Sequence, residues 1–155
     1  AMSALGAPLI NDVTTDLHTP PAFSSDGAAG VAASAHGSSL DYPLAFAEVQ
    51  REHYPDIGPI QFEFDGDREG VIERVQSAMR AMGWEVTWMD VDNLQVEGTD
   101  TSSLFRFVDD IVVRVRIEGD RIRIDTRSRS RVGKGDLGAN ADRIRAFQVR
   151  LHDRG

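Results

Sequence analysis

A chain of 155 residues with 41% hydrophobic and 27% charged side chains has room for one domain with its own core. Its formal charge of −8 argues against a nucleic-acid partner, because phosphate binding needs a net basic face. The absence of cysteine excludes disulfides, thiolate catalysis and thiolate metal sites.

Ala1-Met2 reads as a cloning remnant, which leaves open an N-terminal anchor or signal removed from in front of it and, with it, membrane association. No apolar run in the sequence reaches the ~18 residues of a membrane span. Residues 1–59 show no sustained periodicity and are expected to run as an extended, loop-rich segment over the surface of the same domain. Asp12, Thr14, Thr15 and Asp16 suit side-chain-capped turns, and Pro20-Pro21 prevents a helix there. An oxygen-ligand cation site at the same four residues is the sharper alternative, but the calcium-loop spacing is missing. Residues 24–39 are Gly, Ala and Ser with little else and read as a flexible loop. Leu44 to Arg51 suits a short helix, and Tyr54-Pro55-Asp56 a turn.

The core is expected in residues 60–155. Ile60, Phe62 and Phe64 alternate as a half-buried strand. Asp65 or Asp67 then caps a helix over 67–82, whose apolar face is Val71, Val75, Ala78, Met79 and Met82 and whose stop is Gly83. Trp84, Val86 and Trp88 alternate on a second strand and so share a face. Leu94 and Val96 open a third, and Leu104 to Phe107 reads as a fourth strand or an edge segment. Ile111, Val113, Val115 and Ile117 run into a two-residue turn at Gly119-Asp120, with Ile122 and Ile124 on the return. That turn length pairs Ile117 with Ile122, Val115 with Ile124, Arg114 with Asp125 and Val112 with Arg127. It also sets Arg116 opposite Arg123, a like-charge pair that requires an anion nearby. A last helix carries Ile144, Phe147 and Leu151 on one face and begins at a cap, Asp136 or Asn140. The element order predicts a single α+β domain: a twisted antiparallel β-sheet with two main helices packed on one face and an extended N-terminal segment.

The stretch 125–140 is the candidate site, because it mixes Arg, Ser, Asp and Gly between the last strand and the last helix. Three readings of it compete. Arg127, Arg129 and Arg131 can pair with Asp12, Asp16, Asp109 or Asp110 and strap the N-terminal segment to the sheet. Alternatively, Arg114, Arg127 and Arg131 can take a small anionic or polar ligand, with Ser128, Ser130, Gly133, Asp136 and Asn140 around it and the helix N-terminus behind. An enzyme would need a base for Ser128 or Ser130, and the four histidines lie in turns, loops or at the end of the last helix, so no catalytic residue is assigned. The Gly133-Lys134-Gly135-Asp136 turn also lacks the hydroxyl of a phosphate-binding P-loop. No metal ligand set and no cofactor motif stands out.

Several segments together resemble the bacterial and plastid family named domain of unknown function 1499. They are Asn11 to Leu17 with Pro20-Pro21-Ala22-Phe23, Tyr54 to Ile57, Ala81 to Val86, Phe105 to Val115, and Arg127 to Gly133 with Asp136 to Asn140 and Arg143-Ile144-Arg145. The resemblance runs from Asn11 to Leu151, and the 24–39 run is less typical of it. Members of that family often follow a membrane segment or lipoprotein-type leader, so the resemblance implies a periplasmic or otherwise extracytoplasmic domain at the cell envelope. It carries no activity. The expected role is a non-catalytic structural or interaction module with an unidentified partner.

Overall fold

The computed structural model describes residues 2–3 and 5–153. In chain order its elements are β1 (Asp12–Thr14), α1 (Ala28–His36), α2 (Leu44–His53), β2 (Ile60–Glu63), α3 (Arg68–Ala81), β3 (Glu85–Asp90), β4 (Gln95–Thr101), β5 (Val108–Glu118), β6 (Arg121–Ser130) and α4 (Ala139–Asp153). The fold is α+β. One open, antiparallel, six-stranded sheet has the order β1-β6-β5-β4-β3, and β2 continues along the same edge of β6 as β1.

The β5–β6 hairpin is the spine. Gly119 sits at φ 66°, which the tight turn requires and glycine supplies without strain. The pairing is Ile117 with Ile122, Val115 with Ile124, Arg114 with Asp125 and Val112 with Arg127, as the alternation dictates. That register puts Ile111, Val113, Val115, Ile122 and Ile124 on one face, where α3 and α4 cover them. Helix α3 starts where the Asp67 side chain accepts from the Gly70 amide (2.9 Å) and buries Val71, Ile72, Val75, Ala78 and Met79. Helix α4 adds Phe147 and Leu151, and Trp84 packs on Phe147 at 5.0 Å between ring centres. Burial of these side chains is the main stabilising term of the fold.

Three local expectations are corrected. The run 24–39 is not a loop throughout, because Ala28–His36 is helix α1. Five of its nine residues are Ala, the strongest helix former, and Gly37 at φ 62° ends it. Gly30 within it packs so closely on the Ser24 and Ser25 carbonyls that a side chain would collide. The small side chains let α1 lie flat, with Ala29 against Phe23 and Val112 on the second face of the sheet. Leu104 to Phe107 is a turn rather than a strand, closed by Ser102 N to Phe107 O (2.9 Å) and Phe107 N to Ser102 Oγ (2.9 Å). Trp84 and Trp88 do not share a face. The pairing of β3 with β4 slips between Val86 (opposite Gly98) and Trp88 (opposite Glu97), and this bulge turns Trp88 away from the core that holds Trp84.

Candidate functional site

Strand β6 alternates, and the alternation divides the candidate residues between the two faces of the sheet. Arg123, Asp125, Arg127 and Arg129 face the N-terminal segment, while Ser128 and Ser130 face α4. The same split separates the adjacent carboxylates of β5. Asp110 meets Arg131 with two contacts of 2.7 Å, and Asp109 meets Arg143 at 2.7 Å on the other side.

On the segment side the arginines are engaged by internal groups. Arg127 is 2% exposed and clamps Asp12, itself 1% exposed, through Nε (2.9 Å) and Nη2 (2.8 Å). It also donates to the Pro21 carbonyl (2.9 Å) and the Leu40 carbonyl (2.7 Å), and it lies 4.9 Å from the Phe23 ring centre. Burial pushes the Asp12 carboxyl up, against the pull of Arg127 and Arg129. The anion that the Arg116–Arg123 pair requires is Asp16. Its Oδ2 lies 3.0 Å from Arg114, 3.4 Å from Arg123 and 3.7 Å from Arg116. Burial favours a neutral Asp16, but the Thr19 amide, Arg123, the His18 amide and Arg114 together hold its carboxyl below the usual range. The Thr15 hydroxyl donates to Asp125 (2.6 Å) and accepts from the Thr126 amide (2.9 Å), while Gln50 bridges both backbone groups of Thr14 (3.0 and 2.6 Å). The segment therefore adds strand β1 and a charged inner surface to the sheet.

On the helix side a cleft of about 520 Å³ opens between the 102–107 turn, the 131–138 loop and the first turn of α4. Its polar lining is Asp100, Ser102, Asp109, Ser130, Asp136 and Arg143. Asp136 caps α4, because Oδ1 accepts from the Gly138 amide (2.8 Å) and Oδ2 from the Asn140 amide (3.2 Å) and Asn140 Nδ2 (2.7 Å). The positive end of α4 thus already holds a carboxylate. Asn140 is a buried hub: Nδ2 also donates to Ser130 Oγ (2.9 Å), and Oδ1 accepts from Ser128 Oγ (2.6 Å) and Arg143 Nη1 (2.8 Å). Arg143 then reaches Asp100 through Nε (2.9 Å) and Asp109 through Nη2. Burial pushes the Asp109 carboxyl up, while Arg143 and the Ser130 hydroxyl pull it down and Asp100 adds to the rise. Gly133 lines the same cleft at φ 86°, and its carbonyl accepts from Asn11 Nδ2 (2.8 Å).

The structure brings Ser128, Ser130, Gly133, Asp136 and Asn140 together here, and places Arg114, Arg127 and Arg131 away from them in internal ion pairs. Arg143, Asp100 and Phe107 belong to the cleft and were not singled out from sequence. The spacing Asn140–Arg143 is the signal that could have found the arginine, because i and i+3 on a helix share a face. His18, His36, His53 and His152 do not line the cleft. Among the described residues no group of three or more His, Asp or Glu is arranged to hold a metal ion, and no helix is long and apolar enough to cross a membrane.

Compared with known proteins, residues 12–151 match a family model described as "Protein of unknown function (DUF1499)". No curated protein matches the chain.

Proposed function

The chain belongs to the DUF1499 family, and from that premise we propose that it is a non-catalytic interaction module of the cell envelope, acting outside the cytoplasm, whose binding surface is the cleft at the start of α4. The observation that carries this reading is the Asn140–Arg143 knot. It ties the hydroxyls and carboxylates of the cleft to one another: Ser128 donates to Asn140, Ser130 meets Asp109, which Arg143 already holds, and among the described residues no histidine lines the cleft. Such a floor is rigid, polar and shaped, which suits recognition more than bond cleavage. The extracytoplasmic setting rests on what the family resemblance implies.

A small polar ligand in the cleft is the specific form of this reading. An anion at Arg114, Arg127 or Arg131 would have to displace Asp16, Asp12 or Asp110. The test is a thermal-shift screen of small carboxylates, phosphates, amines and sugars on the wild type and on Ala139→Trp. Ala139 is exposed and lines the cleft from the first turn of α4, so the tryptophan occupies it. A compound that raises the wild-type melting temperature and leaves the variant unmoved is the expected result. A panel with no effect, or a shift that survives the tryptophan, overturns the cleft as the binding surface.

A further inference from the structure

The end of the sheet that carries the cleft also displays an apolar patch. Leu104 (78% exposed), Phe105 (67%) and Phe107 (52%) stand on the 102–107 turn. Val132 (52%) and Leu137 (61%) stand on the loop that forms the facing wall. The turn that bears the phenylalanines is ordered. Besides the Ser102–Phe107 bonds, the Arg106 amide donates to the Ser102 carbonyl (3.1 Å), and the two rings stack at 5.5 Å with 20° between their planes. Arg106 at φ 57° and Leu137 at φ 54° hold left-handed backbone that ordinary side chains seldom adopt. Two shaped turns thus hold aromatic and aliphatic side chains in water, where they gain by being withdrawn from it.

The arrangement of charge and shape selects the occupant. The apolar side chains sit on two loops, one on each side of the cleft, rather than across a strand face. That form enters the headgroup–acyl boundary of a bilayer while the backbone polar groups stay hydrogen-bonded or wet. Exposed Arg106 lies between the two phenylalanines and exposed Lys134 lies on the opposite loop, although the whole chain carries a charge of −8. The neighbouring carboxylates do not cancel them there. Asp100 is held by Arg143, and Asp136 is turned into the cap of α4. Aromatic side chains beside basic ones are the combination that anionic headgroups attract.

We infer that the 102–107 and 131–137 loops dock on an anionic lipid surface, with Phe105, Phe107 and Leu137 entering the interface and Arg106 and Lys134 meeting the headgroups. This goes beyond ligand binding in the cleft and stands without it. Flotation of the full chain with vesicles of phosphatidylcholine alone, or of equal parts phosphatidylcholine and phosphatidylglycerol, tests it. The chain floats with the mixed vesicles and much less with the neutral ones. Phe105→Ser with Phe107→Ser reduces the bound fraction about tenfold or more, and Arg106→Gln with Lys134→Gln does so on the anionic vesicles only, again by about tenfold or more. All four positions are exposed, so circular dichroism melts of both double variants should match the wild type. Failure of the wild type to float overturns the inference, as does equal flotation of the variants. A wild-type dimer in sedimentation that the serine pair dissociates, without any lipid binding, would assign the patch to a second copy of the chain. Vesicle binding is unaffected by Ala139→Trp, which separates this result from the cleft screen.

Discussion

Replacing Arg127 with Ala perturbs the inner surface of the sheet at a fully buried point. The side chain is 2% exposed, and its Asp12 partner is 1% exposed with two short contacts to the guanidinium. Removing one member of a buried pair leaves an uncompensated charge and costs about 3–5 kcal/mol. The Pro21 and Leu40 carbonyls also lose their donor, at about 1 kcal/mol each where water does not replace it. These terms overlap, so the expected loss is about 4–6 kcal/mol, out of the ~5–15 kcal/mol that holds a typical domain together. For a chain of this length that lowers the melting temperature by about 10–20 °C.

Urea unfolding followed by circular dichroism reads the loss, and limited proteolysis reads where it falls, with new cuts expected within residues 15–23. Two further measurements separate the ion pair from simple loss of packing. Asp12→Leu combined with Arg127→Met removes both charges and should recover at least half of the deficit. Burial already pushes the Asp12 carboxyl up, and without the guanidinium that push is unopposed. A carboxyl whose folded value lies above its unfolded one stabilises the fold below the unfolded value and loses that contribution as pH rises through the folded one. The deficit of Arg127→Ala should therefore shrink as pH falls toward about 4. A loss under about 1 kcal/mol, or a double variant no better than the single, would refute the reasoning.

Glu97 is buried, accepts from the Ser24 amide (2.7 Å) through Oε2 and leaves Oε1 without a partner. Burial pushes its carboxyl up to about 7 from an ordinary 4.5. Its contribution is therefore complete below pH ~4.5 and lost as pH rises through ~7, so Glu97→Gln should raise stability at about pH 8 by about 2 kcal/mol and flatten the melting temperature between about pH 5 and 8, as differential scanning calorimetry would show. Gly98→Ala places a methyl 2.7 Å from both the Glu85 carbonyl oxygen and the Met79 methyl, and should cost about 1–3 kcal/mol in the same experiment. Asp136→Ala removes the acceptor of two amides and of Asn140 Nδ2, and should cost about 1–2 kcal/mol and speed hydrogen exchange at Gly138 and Asn140 while leaving β5 and β6 protected.

The parts of the fold that follow from local rules were readable in the sequence. A two-residue turn at Gly119-Asp120 and strict alternation on both sides leave only one register for β5 and β6, and Asp67, the apolar stripe and Gly83 delimit α3. Helix α1 was hidden because its side chains are nearly all small. Without an apolar stripe, its Ala, Gly and Ser look like a linker, and the reason for the composition, close approach to Ser24 and Val112, lies elsewhere in the chain. The flip of Trp88 was hidden because one inserted residue in β3 reverses the alternation without changing residue types.

For the candidate site, alternation along β6 already implied that Ser128 and Ser130 point away from Arg127 and Arg129. What it could not supply was the far side of the cleft. Asp100, Asp109 and Arg143 come from three elements, and only the rotation of α4 set by the Asp136 cap brings Arg143 to both carboxylates. The anion required by Arg116 and Arg123 was inferred from charge, but its identity as Asp16 depends on a segment more than 95 residues away in sequence.

The most direct test of the account is a map of amide shifts in ¹⁵N-labelled protein titrated with the same panel of carboxylates, phosphates, amines and sugars. If the cleft is the binding surface, shifts gather at Ser102, Phe107, Ser130, Gly133, Leu137 and Ala139, and residues 12–23 stay still. The second face of the sheet offers a smaller cavity of about 280 Å³ beside Arg127, lined by His18, Phe23, Leu40 and Tyr42. Shifts centred there, with the cleft unmoved, would contradict the account.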